Sequence, residues 1–103
     1  MPAKKPPRAR SDEGWFVYIV ECADGSFYTG ITNDLERRID EHNAGRGARY
    51  TRGRRPVELR YRELQPDRSH ASVRECRIKA LSRREKQKLI DQFAVEKTGP
   101  KSP

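Results

Sequence analysis

Residues 16–32 read FVYIVECADGSFYTGIT. With Trp15 in front, the first half is a nearly unbroken apolar run rich in aromatic and β-branched residues. That composition predicts a strand covered on both faces and central in its sheet. Asp24-Gly25 tolerates positive φ and signals a hairpin turn. The loop length decides what the hairpin does with its tyrosines. A two-residue loop would pair Cys22 with Phe27 and put Tyr18 and Tyr28 on opposite faces. A three-residue loop, Ala23 to Gly25 with Gly25 in αL, pairs Cys22 with Ser26, Val20 with Tyr28 and Tyr18 with Gly30. The second register is the one predicted: it brings both phenol rings to one face and leaves open space at Gly30 beside Tyr18.

The chain around this hairpin is short and basic. Its 103 residues, 33% of them hydrophobic, hold one domain with a small core. Residues 1–13, proline-rich and charged, predict a disordered basic arm, and residues 94–103 a disordered tail, leaving a domain at 14–93. The net charge of +8 and pI near 9.9 point to a polyanionic partner, because phosphates neutralised by Lys and Arg release condensed counterions. No apolar run suits a signal peptide or a membrane span, so the expectation is a soluble cytoplasmic protein without a membrane partner. Cys22 and Cys76 lack metal-ligand or CxxC spacing and read as reduced thiols.

After the hairpin, ITNDLERRIDEHNAG predicts a helix capped by Thr32 or Asn33 and ended at Gly45, with Leu35 and Ile39 as its buried stripe. Arg38 and His42 form a second i, i+4 pair along the border of that stripe. GRGARYTRGRRP is too rich in glycine and arginine for a regular element and reads as a loop. VELRYREL alternates Val57, Leu59, Tyr61 and Glu63 against their neighbours, as a half-buried strand does. Ser69 is placed to cap a helix in which Glu75 shares a side with Ala71, Ile78 and Ser82, so a carboxylate is aimed toward the core. A last helix packs back through Leu89, Ile90 and Phe93. The fold class is therefore α+β, a small three-stranded antiparallel sheet flanked by helices in the order β-β-α-β-α-α.

This order of residues resembles the GIY-YIG nuclease family, and most of all its small single-domain bacterial members. VYI (17–19) stands where the family has GIY, and YTG (28–30) where it has YIG. Arg38, His42 and Glu75 follow at matching places. Val17 replaces the family's glycine, Thr29 its isoleucine, and Ile31 a lysine that some members carry. The resemblance implies metal-dependent phosphodiester hydrolysis of DNA, on branched or single-stranded substrates, by an endonuclease site made of Tyr18, Tyr28, Arg38, His42 and Glu75. It implies one Mg2+ (or Mn2+) ion on Glu75 and no small-molecule organic cofactor.

Chemistry fits these residue types. Hydrolysis of a phosphodiester needs an activated water, neutralised charge on the pentavalent phosphate and help for the leaving oxygen. Glu75 suits a hard divalent ion and Arg38 a phosphate, through its planar fork. A tyrosine with an ordinary pKa near 10 is a poor base unless that pKa is depressed or its proton is handed on. His42 is the acceptor within reach, with Tyr18 favoured as the activating tyrosine and Tyr28 orienting water or phosphate. From Gly45 to Arg62 there are seven arginines and one acidic residue, interleaved with Tyr50 and Tyr61. Together with Arg37, Arg46, Arg49, Arg52, Arg54 and Arg55 read as a phosphate-tracking surface. RNA stays open as a substrate, as does a protein partner for targeting. The competing readings are a nucleic-acid-binding module of the same fold that cleaves little, and a protein-docking unit.

Overall fold

The computed structural model describes residues 14–98. Its elements are β1 (Trp15–Glu21), β2 (Phe27–Thr32), α1 (Leu35–Asn43), α2 (Arg49–Arg52), β3 (Glu58–Gln65), α3 (Arg68–Lys79) and α4 (Arg83–Thr98). The expected arm at 1–13 lies outside the described residues. The tail expected from residue 94 is still helical through Thr98, continuing a helix that Leu89, Ile90 and Phe93 anchor against the core.

The three strands form one antiparallel sheet in the order β2-β1-β3, so the nearly continuous apolar strand is the central one. Val17, Tyr18, Ile19 and Val20 are all 0–1% exposed. The hairpin has the three-residue loop. Cys22 N–H donates to the Ser26 carbonyl at 2.8 Å, Gly25 N–H donates to the Cys22 carbonyl at 2.8 Å, and Gly25 sits at φ +86°. Tyr18 accordingly pairs with Gly30 and Val20 with Tyr28.

Successive residues of β1 feed two cores, as a pleated strand must. Val17 and Ile19 pack with Ala71, Ile78 and Ile90, under α3 and α4. Tyr18 and Val20 pack with Leu35, Val57 and Ile39, under α1. The regular alternation expected of β3 fails at one place. Ile19 pairs with Tyr61 and Val20 with Leu59, so Arg60 is an extra residue that forms a β-bulge. Val57 and Leu59 therefore face α1, while Tyr61 turns to the other core with Phe93 edge-on at 5.6 Å.

Helix ends differ from expectation in which side chain caps them. The α1 cap is Asp34, whose carboxylate accepts from Arg37 N–H at 3.2 Å, while Thr32 Oγ1 accepts from Asp34 N–H at 3.0 Å one step earlier. Asp67, rather than Ser69, caps α3, accepting from His70 N–H at 2.8 Å. In both cases the aspartate stands three residues before the N–H it receives, the reach a short carboxylate needs. Ser82 and Glu85 form a reciprocal capping box on α4, at 2.9 and 3.1 Å. Among the described residues, no helix is long and apolar enough to cross a membrane.

Candidate active site

Pairing Tyr18 with Gly30 sends the Tyr18 side chain under α1, where it is 1% exposed. His42 comes down from the last turn of α1 to meet it. The Tyr18 hydroxyl oxygen and His42 Nε2 are 2.8 Å apart. His42 is 0% exposed, deeper than the border position its spacing with Arg38 predicts. The segment after α1 closes over it: a Cβ at Gly47 would overlap Nδ1, so only glycine allows this approach. Tyr28, two residues from Gly30 on the same face, stands edge-on to the imidazole with centroids 5.4 Å apart.

On the other side of the imidazole, Nδ1 lies 2.7 Å from Oγ1 of Thr51, which is itself fully buried. Thr51 belongs to α2, a single helical turn inside the stretch expected to be an irregular loop. The turn closes on the Ala48 carbonyl, which accepts from Thr51 N–H and Arg52 N–H at 3.2 Å and from the Thr51 hydroxyl at 3.0 Å. One residue earlier, Tyr50 stacks on Tyr28, with centroids 5.9 Å apart and planes 20° apart.

Arg38 is partly exposed beside this pair and donates through Nη1 to Glu41 Oε1 at 3.0 Å. Burial pushes the Tyr18 phenol up to about 12 against the opposing pull of the Arg38 guanidinium, with Tyr28 and the Glu75 carboxylate adding to the rise. Burial drives His42 down to about 4, and Arg38 adds to the fall. Both groups are therefore neutral across the physiological range. The Tyr18 pKa is raised rather than depressed, which leaves transfer of its proton as the way to make that phenol oxygen basic.

Glu75 reaches this site electrostatically from the other layer. On α3, Ala71 and Ile78 are fully buried, but Glu75 is only half-buried and its Oε2 lies 3.2 Å from Lys79 Nζ. The core-facing carboxylate expected from its spacing is thus at the margin of the core, where a charge stays hydrated. Ser82 falls beyond the end of the helix. Among the described residues, no three His, Cys, Asp or Glu side chains gather as a metal cage. A single half-buried carboxylate is a donor of the kind a hard divalent ion accepts when water and phosphate oxygens complete its shell.

The arginines divide into two sets. Arg54 is tied to surface neighbours: it donates to Asp24 at 3.0 Å and to the Tyr50 carbonyl at 2.8 Å, and lies over the Tyr50 ring at 4.0 Å. Arg55 donates to the Arg52 and Asn43 carbonyls, at 2.9 and 3.4 Å. Arg37 pairs with Glu41 at 3.2 Å on the surface of α1. Arg46, Arg49 and Arg52 are exposed around the α2 turn.

Residues 14–89 match the family described as the GIY-YIG catalytic domain. The chain belongs to the GIY-YIG family. Membership supports a nuclease-type role. Among its GIY-YIG relatives, a UPF0213 protein of Desulfotalea psychrophila is 62% identical over 77 residues, covering 74% of this chain and 70% of that one. A UPF0213 protein of Bacillus pumilus is 46% identical over 82 residues, covering 80% and 84%. The solution NMR structure of the UPF0213 protein BH0048 from Bacillus halodurans is 47% identical with a TM-score of 0.50, covering 77% of this chain and 84% of that one. The structure of EF2693 from E. faecalis is 38% identical with a TM-score of 0.56, covering 84% and 92%.

Thr51 and Gly47 are the site residues that pattern reading missed. They lie in a stretch without apolar periodicity, and the only signal available there was a small glycine-bounded segment with one tyrosine and one threonine among arginines.

Proposed function

We propose that the protein is a divalent-metal-dependent endonuclease that hydrolyses phosphodiester bonds of DNA, with Tyr18, His42, Arg38, Tyr28 and Glu75 as its active site. The observation that carries this reading is the buried contact between the Tyr18 hydroxyl and His42 Nε2, beside a guanidinium, in a chain of a nuclease-type family. The buried hydrogen bond places a proton acceptor within reach of the Tyr18 phenol, the geometry a relay needs.

In the reaction, Tyr18 gives its phenol proton to Nε2 as its oxygen takes a proton from the attacking water. The hydroxide forms the new P–O bond, the bond to the leaving oxygen breaks, and that oxygen takes a proton from solvent, while His42 afterwards gives up the proton it received. Arg38 donates to the non-bridging oxygens, where negative charge grows. Tyr28, held by the Tyr50 stack, orients the water or phosphate. Glu75 would hold one Mg2+ or Mn2+, which when bound supplies further neutralisation of the phosphate and of the leaving oxygen.

Exposed Arg46, Arg49 and Arg52 are available to the substrate backbone. A groove at Arg38 carries Arg37 and Arg68 together with the carboxylates of Asp34 and Glu41. Arginine contacts of this kind would be to phosphate, so the preference they support is for backbone shape rather than base sequence.

The test is cleavage of labelled single-stranded, duplex and branched DNA in Mg2+ or Mn2+, comparing wild type with Tyr18→Phe and Glu75→Ala. Metal-dependent cutting that both substitutions abolish, with binding intact, is the expected result. Binding of every substrate without cutting would instead make this a binding module.

A further inference from the structure

The reaction above requires His42 to present a bare nitrogen to Tyr18, and a neutral imidazole has two tautomers of which only one does so. The hydrogen bonds at its other face bear on the choice. Thr51 Oγ1 carries one hydrogen, with two groups in reach: the Ala48 carbonyl at 3.0 Å, which can only accept, and His42 Nδ1 at 2.7 Å. With the hydrogen on the carbonyl, Oγ1 accepts from Nδ1 and Nδ1 carries the imidazole proton. Nε2 is then the lone-pair nitrogen, 2.8 Å from the Tyr18 hydroxyl.

We infer that Thr51 is a positioning residue for catalysis: fixed by the Ala48 carbonyl, its hydroxyl holds His42 as the Nδ1–H tautomer, so that Nε2 is always ready to take the Tyr18 proton. The inference rests on the nuclease reading for its catalytic consequence but not for the tautomer itself. Complete burial of Thr51 and His42 excludes water from offering Nδ1 another partner. Orientation of an imidazole by a second hydrogen bond is what separates a working base from a mere packing residue. The α2 turn thus has a purpose in the fold beyond carrying arginines. It closes one helical turn so that the Thr51 hydroxyl proton is used up.

The experiment uses the full chain labelled with 15N at histidine, at pH 7. Long-range 1H–15N correlation spectra distinguish the two neutral tautomers directly. Wild type is expected to show His42 protonated at Nδ1. Thr51→Val keeps the side-chain shape but removes the acceptor; it should shift His42 toward the Nε2–H form and lower kcat about tenfold or more with little change in KM. Thr51→Ser restores the hydroxyl and should recover both tautomer and turnover. The inference is overturned if wild-type His42 carries its proton on Nε2. It is equally overturned if Thr51→Val keeps the Nδ1–H form together with wild-type kcat. Should Thr51→Val fail to fold, the wild-type spectrum and the Thr51→Ser rescue still decide. If wild type cleaves no DNA, the nuclease reading fails, while the tautomer spectra judge the Thr51 assignment separately.

Discussion

A Cβ placed on Gly30 would lie 2.6 Å from the Tyr18 hydroxyl oxygen and 2.8 Å from Tyr18 Cζ. The glycine of the second strand is therefore the floor on which the first strand's tyrosine rests, and hairpin register and the geometry of the proposed active site are one feature. Tyr18 is pinned by His42 above and is almost fully buried, so it cannot swing aside as a flexible chain end would. Gly30→Ala should cost about 1–3 kcal/mol by overpacking. Cleavage should fall further than stability explains, because any ring shift breaks the Tyr18–His42 contact. Urea unfolding and cleavage kinetics on the same preparation would separate the two effects. Unchanged turnover would show that Tyr18 need not stand where it does.

His42 makes stability depend on pH in a definite window. Burial and the neighbouring Arg38 hold its folded pKa near 4, against an ordinary value of 6.5, while Glu41 opposes the shift. Between those values the unfolded chain binds the proton and the folded one does not, so stability falls as pH drops from about 6.5 toward 4 and the loss then levels off. The contribution is on the order of 3 kcal/mol. Melting temperatures from pH 7.5 to 4.5 should slope downward in wild type and flatten in His42→Asn over that range. Carboxylates with lowered pKa, such as the half-buried Glu63 paired to Arg74 at 2.7 Å, act in the more acid range below it.

What the chain disclosed in advance was what strong local rules govern. An unbroken apolar run has no place but the centre of a sheet, and Asp24-Gly25 fixes a hairpin whose parity places Tyr18 and Tyr28 together. The positions of Arg38 and His42 followed from helical spacing, but the depth of His42 did not. Burial there comes from Gly47 and Thr51, supplied by a turn nine residues further on, which no periodic pattern marks. Glu75 lies on the predicted side of α3, with Ala71 and Ile78, yet its side chain keeps 22% exposure. Helical phase gives a direction, but it does not say where the neighbouring layer ends.

The bulge at Arg60 was also hidden, since alternation in the sequence looks regular through it. Its structural weight can be measured by separating the side chain from the residue. Arg60 pairs with Glu21 and Glu58 on a partly exposed surface, at 3.0 and 3.2 Å, so Arg60→Ala should cost less than about 1 kcal/mol. Deleting residue 60 removes the extra position and turns either Tyr61 and Glu63 or Val57 and Leu59 to the wrong face. The deletion should abolish cooperative thermal unfolding, whereas Arg60→Ala keeps it. A cooperative, native-like deletion variant would mean that β3 can restore its register elsewhere.

The arginines near the site should answer differently to salt. Arg46, Arg49 and Arg52 are exposed, so each that meets a phosphate releases counterions on binding. Replacing one of them by Ala should lower the slope of log affinity against log salt by about 1. Arg54 spends its guanidinium on Asp24, the Tyr50 carbonyl and the Tyr50 ring. Arg54→Ala should leave the slope nearly unchanged and instead loosen Tyr50, and through it Tyr28, lowering kcat on DNA that still binds. Titrations of labelled DNA at several salt concentrations, with cleavage rates at saturating protein, read both quantities. A slope change for Arg54→Ala equal to that of Arg49→Ala would show that Arg54 leaves its internal partners to meet phosphate.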